Sequence, residues 1–409
     1  MKYLPLANAI IGHSGYQQHV KEGNIKQIFD LVRSEKCKSR AEIVRAMNLS
    51  ATSVSVLVEE LTARGLIDEV GPTKTSLPGR RPISLQLNGD ARQMVVFSLQ
   101  REGVRYTLFN LNCQMLENRF FPLDIAALNS PDAEREYLKL FEDVLKRRGR
   151  RIDRARTLMI GISFPGIYIE RDQLFHTDME LGCTLTEASI RQFQEKIGLP
   201  VYLISSTRAM AYAEKKYLEA ANADPIDVEN MIFVEFQGDL RCSIISNGDI
   251  YAGPYNASGE IGHLSIDFHG PLCSCGNRGC LQNYVNLNAI LKDARQAAAE
   301  AGIEPPESLE ALAARYPAER VLAASVERSA QYLAFGLYGI LCTSGIRRIV
   351  LGGGIDVLGE GFLREVYHAL CSRSFLVRHL ELSYAQAGPD SESVGVAQHF
   401  LDKVYTITH

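Results

Sequence analysis

Gly259-Glu260-Ile261-Gly262-His263 and, a few residues on, Leu272-Cys273-Ser274-Cys275-Gly276-Asn277-Arg278-Gly279-Cys280-Leu281 concentrate most of the metal-binding chemistry of this 409-residue chain. Three thiols and an imidazole gathered by glycine-rich turns suit a closed tetrahedral zinc site, with His263, Cys273, Cys275 and Cys280 as ligands. Protein groups would fill all four positions and leave none for a catalytic water, so the expected Zn2+ is structural. The alternative is a set of free thiols in a loop. A long polar loop with clustered cysteines needs something to order it, and that favours metal. The chain has nine cysteines, an odd number with three inside 273–280. In a cytosolic chain of this size, that clustering points to metal rather than to disulfides. The other six read as isolated, mostly buried thiols.

Upstream of this stretch, Met231–Glu235, Arg241–Ser246 and Asp249–Ala252 alternate like three strands, with Asn247-Gly248 as a hairpin turn. An earlier set, Gln93–Leu99, Arg105–Leu111 and Gln114–Pro122, has the same texture and is followed by a helix through 132–148. Two meanders, each followed by helices, imply a duplicated α/β fold with a cleft between two lobes. The stretch 284–345 is largely helical, broken near Pro305-Pro306 and Pro317, and another helix is expected at 360–372.

The front of the chain is different. Asn24 is positioned to cap a helix carrying Ile25, Ile28, Phe29, Leu31 and Val32 on one face. Ser39 and Glu42 form a capping box for a second helix, and Ser50 caps a third with Val54, Leu57, Val58 and Leu61 at helical spacing. Leu66–Val70 and Ile83–Leu87 read as a closing hairpin. The order is that of a winged helix-turn-helix over 24–88, preceded by an N-terminal segment, 1–23. Residues 1–88 carry a net charge of +4 within a chain of net −4, leaving an acidic body. That asymmetry suits a nucleic-acid module fused to something else, though an excess of four charges also arises by chance.

Composition sets the remaining bounds. With 46% hydrophobic and 22% charged residues, the chain has the make-up of an ordinary globular protein. It contains no apolar run of membrane-spanning length, and Met1–Leu6 opens no secretory signal, so a cytoplasmic protein without a membrane partner is expected.

Gly-Glu-Ile-Gly-His at 259–263 followed by Cys-x-Cys-Gly-x-x-Gly-Cys-Leu at 273–281 resembles the signature of the ROK family, named for its repressors, open reading frames and kinases. Ser163-Phe164-Pro165-Gly166, Leu351-Gly352-Gly353-Gly354 and the winged helix extend the resemblance along the chain. It implies an actin-like (ribonuclease H-like) fold of two lobes over 92–409. The first would span about 92–205 plus the C-terminal helix, and the second about 206–385 with the zinc loop. The family assembles as dimers or tetramers, so a homodimer or homotetramer is expected.

The same resemblance shows what is missing for catalysis. In family kinases the base is the Asp of a Glu-Asn-Asp-Ala-type stretch. Here Ile204-Ser205-Ser206-Thr207 occupies that place, with Ser206 for the Asp and Ser205 for a sugar-binding Asn. A serine hydroxyl is no base at neutral pH. The first phosphate loop, Asp-x-Gly-Gly in the family, is Ser98-Leu99-Gln100-Arg101-Glu102. The second, a run of alternating glycines, is Gln237-Gly238-Asp239-Leu240-Arg241-Cys242-Ser243. Side chains there obstruct the approach of backbone to phosphate, so no enzyme activity is expected. Gly352–Gly354 survives and is read as a tight turn.

Family sugar sites grip hydroxyls with the Glu and His of Glu-x-Gly-His and the Glu of Cys-Leu-Glu. The resemblance therefore marks Glu260, His263, Gln282, Ser205 and Ser206 as the ligand set, re-tuned for a sugar or sugar derivative. Glu260 is almost as well suited to hydrogen-bond the zinc loop. For DNA, Ser50, Ala51, Thr52, Ser53 and Ser55 at the start of the third helix would face the major groove. Arg80 and Arg81, in a Gly-Arg-Arg-Pro wing like that of ROK repressors, suit a narrow minor groove. Lys36, Lys38 and Arg40 are further phosphate candidates. The expectation is a repressor on a double-stranded DNA operator. Its rivals are a sugar kinase with an accessory DNA domain and a ligand-independent DNA- or protein-binding regulator.

Overall fold

The computed structural model describes residues 2–4, 16–72, 83–100, 103–123, 133–148, 152–169, 172–177, 184–372 and 379–405. The wing residues Arg80 and Arg81 lie outside them.

After a short first strand, β1 (Lys2–Leu4), the head consists of α1 (Tyr16–Arg33), α2 (Arg40–Met47), α3 (Ala51–Ala63) and the antiparallel pair β2 (Ile67–Pro72) and β3 (Ile83–Leu87). Ile25, Ile28, Phe29, Val32, Ile43, Val54, Val58 and Leu61 are all buried, as the helical spacing requires. Ser39 and Ser50 both cap with their hydroxyls, accepting from the amides of Glu42 and Ser53. The Glu42 carboxylate accepts from Lys38 N rather than Ser39 N, so the capping box is displaced by one residue.

Two expectations for the front are corrected. Asn24 does not start α1; the helix runs through it from Tyr16. The first turns are polar and show no apolar stripe, and Lys21 ties them to Glu60 of α3 at 2.8 Å. Nor is 1–23 a separate segment: Lys2–Leu4 pairs antiparallel with Val201–Leu203 at the edge of the first lobe's sheet. Three residues are too few for period-two alternation to announce a strand.

The first lobe follows as β4 (Gln93–Gln100), β5 (Gly103–Asn110), β6 (Met115–Pro122), α4 (Ala133–Arg148), β7 (Thr157–Phe164), β8 (Gly166–Ile169), β9 (Leu174–Thr177), β10 (Thr184–Thr186), α5 (Glu187–Ile197) and β11 (Val201–Ser205). Then come α6 (Ser206–Ala220) and α7 (Pro225–Glu229), which lead to β12 (Met231–Glu235), β13 (Arg241–Ser246) and β14 (Asp249–Tyr251). Helices α8 (Gln282–Val285), α9 (Leu287–Glu300), α10 (Leu309–Arg315) and α11 (Arg320–Ser344) precede β15 (Arg348–Gly352). The chain continues through α12 (Gly359–Cys371), β16 (Glu381–Tyr384) and α13 (Ser391–His399).

The two main sheets repeat one plan. In the first, the order is β1-β11-β7-β4-β5-β6, with β4, β7 and β11 parallel and β4-β5-β6 an antiparallel meander. In the second, β14-β13-β12 is the meander, and β12, β15 and β16 are parallel. The duplicated, two-lobed α/β architecture is therefore explicit. One face of the first sheet packs on α4 and α5 through Val95, Phe97, Phe141 and Phe193. One face of the second packs on the later helices through Ile232, Val234, Leu337 and Phe362. The two inward faces share a core with α6 and α13, which lie between the sheets, and that core runs on without a break into the head through Ile28, Phe29 and Leu111.

Two titratable groups sit in this shared core. Burial pushes the His399 imidazole down to about 3, with its Nδ1 2.7 Å from the Tyr202 hydroxyl. Burial would raise Asp402, but Arg33 and Lys216 hold it at about 2. Both folded values lie below the unfolded ones, so the stability these groups confer is present at neutral pH and is lost on acidification. For His399 the window runs from about 6.5 to 3, and the loss by pH 5 is about 2 kcal/mol. Urea unfolding at pH 7 and pH 5 should show a smaller drop by that amount in a His399→Gln variant. Equal drops would remove His399 from the acid response.

Candidate functional site

The cluster at the second lobe's rim is built by turns. Ser265 pairs with Cys280 and Leu272 with Arg278 in isolated bridges, and Cys273 N donates to Asn277 O at 2.8 Å. Gly279 has φ +63°, and a Cβ there would lie 1.6 Å from the Asp267 carbonyl oxygen, so no other residue fits that turn. The result brings one donor atom each from His263, Cys273, Cys275 and Cys280 within 4.8 Å of one another. Cys275 Sγ and Cys280 Sγ are 3.7 Å apart, and Cys273 Sγ is 3.7 Å from His263 Nδ1. Ligands on a tetrahedron with bonds of about 2.3 Å have edges of about 3.8 Å. The spacing fits a metal ion. Burial would raise the Cys273 thiol, but hydrogen bonds from Cys275 and His263 lower it, while burial and its neighbouring sulfurs push Cys280 up. Ionising all three sulfurs together would require a cation between them.

Gln282 belongs to this cluster. Its side chain is buried, Nε2 donates to Cys273 Sγ at 3.6 Å, and Oε1 is buried with no hydrogen-bond partner. Glu260 Oε1 lies 3.5 Å from Arg241 Nε, a partner that the sequence did not announce.

Between the lobes, β11 ends at Ser205 and α6 begins at Ser206, both buried. Ser205 caps α6 in extended conformation without a side-chain cap bond. Ser206 Oγ donates to both carboxylate oxygens of Glu235 at 3.3 Å, and Thr207 Oγ1 donates to Glu235 Oε2. In the same turn, the buried Arg208 guanidinium grips Asn256 through Oδ1 at 2.6 Å and O at 2.9 Å. Asn256 Nδ2 in turn donates to the Tyr168 carbonyl of the first lobe. Arg241, at the second phosphate-loop position, is buried and bridges Asp239 at 3.1 Å and Glu260. A guanidinium and two carboxylates thus occupy the stretch where the expected loop would present bare backbone.

At the first loop position, Ser98 Oγ is 3.1 Å from Ser393 Oγ. Burial pushes the Glu392 carboxyl up to about 7, against the hydroxyls of Ser163 and Ser98 and the charge of Arg105. A carboxyl group therefore faces the first lobe's loop, where a nucleotide would need cations or amides. Glu235, Arg208, Asn256 and Glu392 were not singled out from sequence. Each acts through a partner far along the chain, and no local spacing announces that.

In the head, Ser50, Ala51, Thr52 and Ser53 are exposed and Ser55 is half-buried; Val56 is an exposed apolar residue on the same helix. Of the flanking cations, Arg40 is engaged by Glu69 at 2.9 Å, Glu59 at 3.4 Å and the Ser55 carbonyl, so it fastens the hairpin to α3 rather than standing free for phosphate. Lys38 pairs with Glu35 at 2.8 Å. Among the described residues, no helix is long and apolar enough to cross a membrane.

Comparison with known proteins places this geometry. The chain is 27% identical to the xylose repressor of Bacillus spizizenii over 397 residues, covering 95% of this chain and 98% of that protein. It is also 27% identical to the N-acetylmannosamine kinase of Citrobacter koseri, over 67% of this chain and 88% of that one. Among solved structures, a ROK family transcriptional regulator described as a homolog of the E. coli MLC protein superposes with a TM-score of 0.78 at 22% identity. That superposition covers 94% of this chain and 97% of the other, and it shows a shared fold. The ROK family profile matches residues 101–403, well over half the chain, and the protein belongs to the ROK family.

Proposed function

We propose that this ROK protein is a DNA-binding transcriptional repressor whose kinase-like cleft senses a sugar without phosphorylating it. The observation that carries the reading is Ser206. It stands where the family's proton acceptor belongs, and its hydroxyl is bound to the buried Glu235. The full-length match to xylose repressors, head included, supports the same reading, whereas the kinase match covers two thirds of the chain. In this reading residues 24–88, with α1 extended to Tyr16, read DNA, and 92–409 form the sensor. Ser50, Ala51, Thr52 and Ser53 offer hydroxyls and a methyl to base edges and phosphates, and Val56 adds an apolar contact for a thymine methyl. Ser55 lies at the margin of that surface. Arg80 and Arg81 enter the minor groove. Two heads of a homodimer, free or within a tetramer, read a palindromic operator in the cytoplasm. Zinc in the His263, Cys273, Cys275 and Cys280 site fixes the loop beside Glu260. Ser205, Ser206, Glu260 and His263 face the sugar, with Gln282 supporting the metal ligands. D-Xylose is the first effector to try.

Two measurements test this together. Binding to duplex DNA from the gene's own upstream region, titrated in rising salt, should be specific and salt-dependent, and a cognate sugar should change it. In parallel, pure protein with ATP, Mg2+ and common pentoses, hexoses and N-acetylhexosamines should release no ADP above background. Ser206→Asp should not create turnover either, because Arg241 and Asp239 still fill the second loop. Robust phosphorylation by the unaltered protein would make it a kinase with a DNA domain. Absence of specific DNA binding would leave the winged helix to protein contacts.

A further inference from the structure

Helix α6 has one end in the cleft and its middle at the head. Its first turn holds Ser206, Thr207 and Arg208 against Glu235 and Asn256. Two and three turns on, Tyr212 Oη donates to Asp402 Oδ2 at 2.7 Å, and Lys216 Nζ lies 3.0 Å from the same oxygen. The other oxygen of Asp402 takes Arg33 Nη2, from the last turn of α1 in the head. Ten residues of helix place these ends about 15 Å apart. Asp402 itself lies in a π-turn, Phe400–Val404, that continues α13, and Tyr405 N closes it onto Phe400 O. A π-turn rotates the following side chains relative to an α-helix, and here Asp402 serves both neighbours.

The connection is stiff. A Cβ on Gly395 would lie 1.8 Å from the Ala209 carbonyl oxygen, so α13 touches the backbone of α6 directly. Phe29 of α1 meets Tyr405 edge-on with centroids 5.8 Å apart, and Tyr405 packs on Phe400. Head, α6 and α13 share one continuous buried core. A close-packed core transmits displacement rather than absorbing it.

We propose that α6 and α13 form the transmission between the cleft and the DNA-reading head, with Asp402, held by Arg33, Tyr212 and Lys216, as the joint through which cleft occupancy moves α1. The head's output rests on the repressor reading, but the coupling does not. Any such coupling is reciprocal, so a disturbance at either end must be felt at the other.

Hydrogen exchange on the full-length, ligand-free protein tests this from both ends. Asp402→Asn keeps the size of the side chain and removes its charge. It should accelerate exchange roughly tenfold or more both in α1 at Ile28–Arg33 and across the cleft at the Glu235 end of β12, with α4, which packs on the other face of the first sheet, unchanged as control. Asp402→Glu should restore protection at both places. Conversely, Glu235→Gln in the cleft should alter exchange at Ile28–Arg33. If Asp402→Asn does not fold, Arg33→Gln removes the same contact from the head side. Changes confined to α1 and residues 396–405, with β12 silent, would make Asp402 a local clasp and overturn the proposal. So would a Glu235→Gln protein with an unaltered α1. Specific DNA binding is scored separately on the same preparations. A protein that binds no operator but shows the two-ended response refutes the repressor reading and leaves the transmission standing.

Discussion

Removing the proposed zinc should unfold the loop from Gly262 to Leu281 and lower Tm by on the order of 10 °C. The loop has little else to hold it. It contributes Cys273, Cys280 and Leu281 to the interior, but Phe268 and Leu272 are 77% and 65% exposed, and no helix of more than one turn or ladder of strands spans it. A segment of this length without regular structure inside a compact lobe needs an ordering element. The consequences reach the core, because Leu281 packs against α11 so closely that a Cβ at Gly336 would lie 2.3 Å from its Cδ2. Metal analysis of purified protein should find one zinc per chain, and Cys280→Ser should abolish it. Incubation with a strong chelator should reproduce the thermal loss, and added Zn2+ should reverse it. An unaltered Tm in metal-free protein would show that turns and bridges alone order the loop.

The same loop shows why some of the site was legible in sequence and some was not. Ligand type and spacing are local: three thiols and an imidazole among glycines admit few chemistries, and the turns needed to gather them are written in the same residues. The hairpin at Asn247-Gly248 is local in the same way, with both residues at positive φ as a primed turn demands. Alternation placed both meanders to within a few residues. What local pattern cannot carry is the partner of a buried polar group. Gln282 had the chemistry to hold a sugar hydroxyl, yet the register of α8 aims its amide at Cys273. Glu260 was weighed between ligand and loop and pairs with Arg241, nineteen residues earlier. Glu235 ends an apolar strand and gave no signal until Ser206 and Thr207 met it from the neighbouring helix.

Those pairings also say how a kinase fold would serve as the sensor proposed above. A phosphoryl-transfer site keeps its base and phosphate cradle open for substrates. Here the equivalent positions are closed by internal partners: Ser206 on Glu235, Arg241 between Asp239 and Glu260, and Glu392 facing Ser98 and Ser163. A buried charge is tolerated only when paired, and each pair binds one element to another across the cleft or within a lobe. In the proposed sensor, a sugar hydroxyl entering among them would compete for these bonds and shift elements rather than bonds in the substrate. Binding energy is thereby available for changing the population of two lobe arrangements, within the limit of the ligand's differential affinity for them.

The change with the largest effect on output should be Arg80→Ala with Arg81→Ala, weakening operator binding roughly 100-fold or more while leaving Tm unchanged. The described recognition surface on α3 is small and uncharged: Ser50, Ala51, Thr52, Ser53 and the exposed Val56, with Arg40 already committed to Glu69 and Glu59. In the proposed complex such a helix would read shape and methyl groups but neutralise no phosphate. The electrostatic share of affinity must then come from elsewhere in the head, and the sequence Gly79-Arg80-Arg81-Pro82 supplies two adjacent guanidinium groups. In a dimer the double substitution removes four cations from the complex, so the slope of log affinity against log salt should fall by up to about 3 to 4. Substituting Ser53 or Val56 should instead change preference among operator sequences with the salt slope intact. A wing variant that keeps both affinity and slope would move the phosphate contacts to Lys36, Arg45 and the polar first turns of α1. The operator would then be read without its minor groove.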